Sequence, residues 1–349
     1  MKKVAIITIN SINFGNRLQN YALQKVIDSL GYKAYTIKRE HIPWNKKNII
    51  EYMKDFARTL LGTRKGLYIR FNINNICFSR HYALVNKVEN NLKKYYDFFV
   101  TGSDQVWNPH YGHIVGQSDL LYFADNNQKI SYAASFGVED IPDNQREKYR
   151  NALKDFKAIS VREKAGEKLV YQLTGRKAIV TLDPTLLLDV EQWSNIAKRP
   201  RYVPSGKYIL IYTLGPKTKL FNDYVKNEFR HKGIEIYDVL KSNINNREPA
   251  VGPAEFIYLI NHAEVVLTDS FHATVFSIMF HIPVRTFPRN GIDMSSRIVS
   301  LAALLGLEKN FTNVGVFFSD SDTDYEKIEK HLNKEREKSI DFLKNALTI

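Results

Sequence analysis

Short, continuously apolar runs recur along the chain, each closed by a polar cluster and followed by a helical repeat. No other feature limits the possible folds so strongly. The first instance is complete. Val4-Ala5-Ile6-Ile7-Thr8-Ile9 has the unbroken hydrophobicity of a strand covered on both faces. A polar loop, Asn10-Ser11-Ile12-Asn13-Phe14-Gly15-Asn16, follows. Leu18, Tyr21, Ala22, Val26 and Leu30 then recur at helical spacing, the face broken only by Lys25, and Gly31 supplies a C-terminal cap. Ala34 to Ile37 returns to a strand. Such a βαβ unit predicts a parallel sheet whose ligand edge lies at the loops after its strands.

The alternation continues. Further strands are expected at Asp97–Thr101, Lys129–Ser135, Ala158–Val161 and Ala178–Leu182, with a helix over Asn144–Phe156. Proline, glycine and serine gather between Arg199 and Gly206, and a second β/α series follows. At 349 residues the chain has room for roughly two domains. The fold class is therefore α/β: a first domain over residues 1–200, a second over 201–324, and a charged amphipathic helix over 325–349. A basic insertion, about residues 45–95, interrupts the first domain and reads as helical. There Lys46, Lys47, Lys54, Arg58, Arg64, Lys65, Arg70, Arg80, Lys87, Lys93 and Lys94 face only Glu51, Asp55 and Glu89. A solvated surface is the plain reading. A surface for anionic lipid or a lipid-linked diphosphate is the sharper one.

The net charge of +13 attracts phosphates, anionic lipids or nucleic acid without choosing among them. No nucleic-acid recognition module accompanies it, so no nucleic-acid partner is expected. The single cysteine, Cys77, excludes a disulfide framework and a cysteine-cluster zinc site. No apolar run reaches the roughly 18 residues of a membrane span. The first apolar run lacks a small-residue cleavage site, so it is read as a strand and the chain as cytoplasmic.

Several polar clusters sit just after apolar strands. In Thr268-Asp269-Ser270-Phe271-His272, Asp269 or Ser270 can cap a helix whose N-terminus offers N–H groups to an anion. His272 in its first turn is either a proton-transfer group or a buried structural histidine. Asn13, Gly15, Asn16 and Gln19 form a second cluster, with Gly15 read as allowing a tight turn. Arg162, at a strand end, either grips a carboxylate or phosphate through two parallel bonds or pairs with Glu163. Gly102-Ser103-Asp104-Gln105-Val106-Trp107-Asn108 offers a turn glycine, a carboxylate and an aromatic platform, or merely a capped start with a core tryptophan. Asp183 before Pro184 terminates a strand. His110 and His113 lack supporting ligands for a metal. Neither a phosphate-binding G-x-x-x-x-G-K-[ST] loop nor a G-x-S-x-G elbow occurs.

Taken in order, Asn13-Phe14-Gly15-Asn16-Arg17-Leu18-Gln19, Gly102-Ser103-Asp104-Gln105-Val106-Trp107-Asn108, Ser160-Val161-Arg162-Glu163, Leu182-Asp183-Pro184-Thr185 and Thr268-Asp269-Ser270-Phe271-His272 resemble the polysaccharide pyruvyltransferase family, over about residues 1–310. The resemblance implies two Rossmann-like domains facing a cleft, as in B-type glycosyltransferases. It implies transfer of pyruvate from phosphoenolpyruvate to two hydroxyls of one sugar, giving a cyclic ketal, without a cofactor or metal. The acceptor would be a capsule, exopolysaccharide or cell-wall repeat unit, often lipid-linked, with the enzyme in peripheral contact with the inner face of the membrane. The oligomeric state stays open. On this reading His272 is catalytic, while Arg162, Ser270, Phe271 and Arg297 bind the donor. Asn13, Gly15, Asn16, Gln19, Ser103 and Asp104 bind the acceptor. The sequence departs from the family at Ser270, where an arginine commonly precedes the histidine by two residues, and Arg297 is the candidate replacement. The alternatives are a nucleotide-sugar-dependent glycosyltransferase and a non-catalytic glycan- or nucleic-acid-binding protein.

Overall fold

A computed structural model describes residues 1–9, 11–40, 49–84, 87–88, 91–110, 116, 118–229, 233–240, 250–289 and 295–348. The elements run β1 (Lys3–Ile7), α1 (Phe14–Ser29), β2 (Lys33–Glu40), α2 (Ile49–Leu60), α3 (Arg64–Asn75), β3 (Phe78–Leu84), β4 (Lys87–Val88), β5 (Phe98–Asp104), β6 (Lys129–Ala134), α4 (Asp143–Leu153), β7 (Ala158–Val161), α5 (Lys164–Thr174) and β8 (Ile179–Val180). After a 3₁₀ turn, Pro184–Leu187, come α6 (Val190–Ile196), β9 (Tyr208–Tyr212), α7 (Lys219–Phe229), β10 (Glu235–Asp238), α8 (Pro253–Asn261), β11 (Val265–Thr268), α9 (Phe271–Met279), β12 (Val284–Thr286), α10 (Ser295–Leu305), β13 (Phe317–Ser319) and α11 (Tyr325–Ala346).

The strands form two sheets, ordered β4-β3-β2-β1-β5-β6-β7-β8 and β10-β9-β11-β12-β13. Pairing is parallel throughout except at two edges, β3–β4 and β12–β13. Both sheets are Rossmann-like. In the first, β1 lies between β2 and β5, in register Val4↔Ala34 and Val4↔Phe98. In the second, β9 lies between β10 and β11. The strand order therefore reverses between β1 and β5, and again between β9 and β11. Ligands of open α/β sheets bind beyond the carboxyl ends of the strands at such reversals.

Packing divides the chain into two units. One holds Met1–Ala57, Ile69–Leu188 and Asn333–Ile349; the other holds Arg58–Tyr68 and Asp189–Leu332. The division thus falls at Leu188/Asp189, earlier than the expected 200/201. Pro, Gly and Ser near Arg199 mark the loop before β9 instead. The later part of α11 belongs to the first unit rather than standing apart. Leu182 N donates to Ser339 Oγ at 3.0 Å, Arg336 Nε donates to the Leu186 carbonyl at 2.6 Å, and Phe342 packs on Tyr132.

Two further expectations need correction. The basic insertion is not helical throughout, since β3 and β4 extend the first sheet. Lys46, Lys47 and Glu89 lie outside the described residues. Gly102 is not a turn residue but belongs to β5. A Cβ there would lie 2.1 Å from the Tyr132 carbonyl oxygen, so only glycine permits β5 and β6 to approach this closely.

Candidate functional site

In the first unit a polar network crosses the carboxyl ends of five strands. After β1, Asn13 caps α1, its Oδ1 accepting from Asn16 N at 3.3 Å. Gly15 sits in the first turn of this helix, where the expected tight turn does not occur. Asn16 donates through Nδ2 to Asp104 Oδ2 and accepts through Oδ1 from Ser11 Oγ. Gln19 Nε2 donates to Thr8 Oγ1 at 2.8 Å, and Thr8 Oγ1 donates to the Ser103 carbonyl at 3.3 Å. Asp104 ends β5 with φ +64°, a left-handed conformation that aspartate tolerates better than most residues.

Arg162, just after β7, is the hub. It donates to Asp183 Oδ2 at 2.9 Å and Asp104 Oδ1 at 3.2 Å, and its Nε lies 4.0 Å from Glu163 Oε2. Ser103 Oγ donates to Asp183 Oδ2 at 2.8 Å, and Thr185 N and Oγ1 donate to Asp183 Oδ1. Glu163 Oε1 accepts from Ser135 Oγ and Phe136 N, both at 2.9 Å. Burial disfavours the guanidinium charge, but Asp104, Asp183 and Glu163 outweigh it and raise the Arg162 pKa. One guanidinium thus answers three carboxylates. Such a cluster does not attract a further anion.

Arg162 was grouped by sequence with Ser270, Phe271 and Arg297. The structure groups it instead with Ser103 and Asp104, and commits it to internal ion pairs. Gln19 and Ser103 are wholly buried and support the network from within. Asp104 keeps 13% of its side chain exposed, so it is the network's open carboxylate. Trp107 is a core residue, its Nε1 donating to the Asp119 carbonyl at 3.1 Å. His110 is an exposed loop residue, and His113 lies outside the described residues. Among the described residues no group of three or more His, Cys, Asp and Glu side chains is placed to hold a metal.

The second unit places a different cluster at its own strand reversal. Ser270, not Asp269, caps α9, its Oγ accepting from Ala273 N at 3.5 Å. Asp269 reaches sideways. Its Oδ1 accepts from Leu214 N at 2.7 Å, and its Oδ2 from Gly215 N at 2.8 Å and Arg289 Nε at 2.9 Å. Arg289 also donates to the Asp269 carbonyl at 3.2 Å. One carboxylate therefore joins the loops after β9, β11 and β12. A Cβ at Gly215 would meet Arg289 Cγ at 2.9 Å, so a larger residue there would oblige the Arg289 side chain to shift.

His272 is buried in the first turn of α9, its ring 5.3 Å from that of Phe271 in an edge-on contact. The Arg297 guanidinium lies 5.8 Å from the Phe271 ring centre. The positive end of α9 thus gathers His272, Phe271, Arg297 and Arg289. The sequence reading missed Arg289. The rule that polar residues just past a strand line the ligand edge would have found it, three residues after β12.

Comparison with known proteins bears out the fold. The UDP-GlcNAc 2-epimerase of Methanocaldococcus jannaschii superposes with a TM-score of 0.50 at 12% identity, covering 95% of this chain and 92% of that one. The UDP-GlcNAc 2-epimerase of Neisseria meningitidis gives 0.47 at 11% identity, with 98% and 94% covered. A UDP-glucosyltransferase from Polygonum tinctorium gives 0.43 at 10% identity, with 99% of each covered. At 12% identity the first of these speaks for the fold alone, and the other two carry no argument. No curated relative matches this sequence. The family model for polysaccharide pyruvyl transferase matches residues 13–291, a stretch that contains most of both polar clusters but not Thr8, Ser11 or Arg297. That match spans most of the sequence, and the chain belongs to the polysaccharide pyruvyl transferase family.

Proposed function

We propose that the protein transfers pyruvate from phosphoenolpyruvate to two hydroxyls of one sugar in a polysaccharide repeat unit, forming a cyclic ketal and releasing phosphate. Family membership supports pyruvyl transfer to a polysaccharide. The donor assignment rests on one observation: Arg297 and His272 lie at the N-terminus of α9, beside an Arg289 already paired with Asp269. Phosphoenolpyruvate carries a carboxylate and a phosphate. A helix N-terminus and guanidinium groups are suited to such anions.

The reaction begins with a proton added to the methylene carbon of the donor, leaving an oxocarbenium-like centre at the adjacent carbon. A sugar hydroxyl bonds to that centre and gives up its proton. The carbon–oxygen bond to phosphate then breaks, and phosphate leaves with the electron pair. The second hydroxyl closes the ketal, and its proton departs with the phosphate. His272 is assigned one of these proton transfers. Asp104 and Asn16 are assigned the acceptor hydroxyls, and Arg162 is a positioning residue that fixes Asp104.

Phosphate release from phosphoenolpyruvate, measured over a panel of sugar diols, tests this reading. A His272→Asn protein with unchanged melting temperature should lose about 10²–10⁴-fold in turnover. Full turnover in that variant removes His272 from the mechanism. Turnover of nucleotide sugars in place of phosphoenolpyruvate would make the protein a glycosyltransferase.

A further inference from the structure

We infer that the first unit carries a second sugar-binding site, at the edge of its sheet opposite the network of Asp104 and Arg162. The starting observation is a cavity of about 310 Å³ at the amino ends of β5, β6 and β7. Small-molecule sites begin at about this size. Three of its walls are the residues that lead into those strands: Asp97 precedes β5, Gln128 precedes β6 and Lys157 precedes β7. The three strands are neighbours in the sheet, so hydrogen-bonded backbone fixes the spacing of these residues. β5 runs for seven residues. At about 3.3 Å per residue the cavity lies about 20 Å from Asp104, too far for one sugar ring to touch both.

The lining decides the ligand. It holds charges of both signs, on Asp97, Asp125 and Lys157. Asp97 Oδ2 accepts from Lys3 N at 2.7 Å, and Asp125 Oδ1 pairs with Lys93 Nζ at 2.7 Å. A carboxylate has about four acceptor positions, so both can still accept. Lys157 Nζ donates to the Thr348 carbonyl and lies 4.7 Å from the Phe98 ring centre; an ammonium has further N–H groups to give. The Asn127 side chain is exposed, and its amide makes no hydrogen bond among the described residues. Gln128 is fully engaged and shapes the wall. Its Nε2 donates to the Lys93 and Tyr96 carbonyls at 3.1 and 2.9 Å, and its Oε1 accepts from Asp125 N at 3.1 Å. An anion in this cavity would meet two carboxylates, and a cation would meet Lys157. A hydroxyl both donates and accepts, so a neutral polyol suits the carboxylates, the ammonium and the amide together. The buried rings of Tyr96 and Phe98 add an apolar wall. A sugar ring carries hydroxyls at its rim and C–H groups on its faces, which matches this lining.

Binding here needs no donor, so the inference stands or falls apart from the proposed reaction. The test is saturation-transfer NMR of the intact protein with the methyl glycosides of glucose, galactose and mannose at millimolar concentration. At least one is expected to bind wild type. Asn127→Ala should raise its dissociation constant about threefold or more, the loss of a neutral hydrogen bond. Lys157→Gln should raise it about tenfold or more, the loss of a charged one. Asn127 is exposed and its amide unbonded, so the melting temperature of Asn127→Ala should equal that of wild type. Inorganic phosphate and putrescine should not displace the glycoside. Absence of binding by all three glycosides overturns the inference. So does binding that neither substitution weakens, which would place the sugar at the Asp104 network instead. Displacement by phosphate or by putrescine would make the cavity an anion or a cation site, and also overturns it.

Discussion

Asp269 shows how much one side chain can organise. It lies in the motif that the sequence singled out, yet it does not cap the helix. It holds two backbone N–H groups and Arg289, and so fixes the loops of three strands. Asp269→Asn keeps the shape but removes the charge and turns a donor toward donors. Hydrogen bonds to a charged group contribute roughly 1.5–3 kcal/mol each, so the substitution should cost about 2–4 kcal/mol. Urea unfolding at unchanged m-value checks this, and adding Arg289→Gln should recover part of the loss. Arg162 teaches the converse. Its type and strand-end position were legible, but its partners stand 58 and 21 residues away in sequence. Nothing local distinguishes an arginine that grips a substrate from one already satisfied by Asp104 and Asp183. The same distance hides the link between Arg289 and Asp269.

Elements whose signals are local were readable, and those set by pairing were not. The cap Ser270 and the apolar strands β1, β5, β9 and β11 appear where short-range chemistry puts them. β3 did not. Its buried positions include Ser79 and Ala83, while Arg80 faces water, so its alternation is one of exposure and not of hydrophobicity. The chain there reads as part of a basic insertion until a neighbouring strand is supplied. Gly102 is a further case, since the need for glycine comes from β6. Gly102→Ala would press a methyl group against the Tyr132 carbonyl and should destabilise by more than about 3 kcal/mol. A denaturation midpoint close to wild type would show that β5 and β6 can separate without loss.

At the scale of the whole molecule, each sheet places its polar cluster where its strand order reverses, and the sequence already implied this by ending its apolar runs in polar residues. The position of the unit boundary was not legible, because contacts made by Asp189–Ile196 and Asn333–Ile349 decide it and loop composition does not. Both units bury tyrosines. Burial raises the pKa of Tyr132, with help from Asp183, and of Tyr149, with help from Asp119; it does the same for Tyr208 and Tyr237. Their ordinary value is about 10. Below that pH both folded and unfolded chains hold these protons and stability is unaffected. Above it the unfolded chain releases them first, so stability falls as pH rises beyond about 10. Tyrosinate absorbance of these four should therefore appear together with unfolding, and titration inside the intact fold would contradict the burial. The donor assignment is tested most directly by thermal stability with and without phosphoenolpyruvate, in wild type and in Arg297→Gln. A ligand that binds only the folded state stabilises it by about 2.7 kcal/mol at a hundredfold excess over its dissociation constant. The stabilisation is expected in wild type and should vanish in Arg297→Gln. An equal shift in both proteins, or none in wild type at millimolar donor, would contradict a donor site at the head of α9.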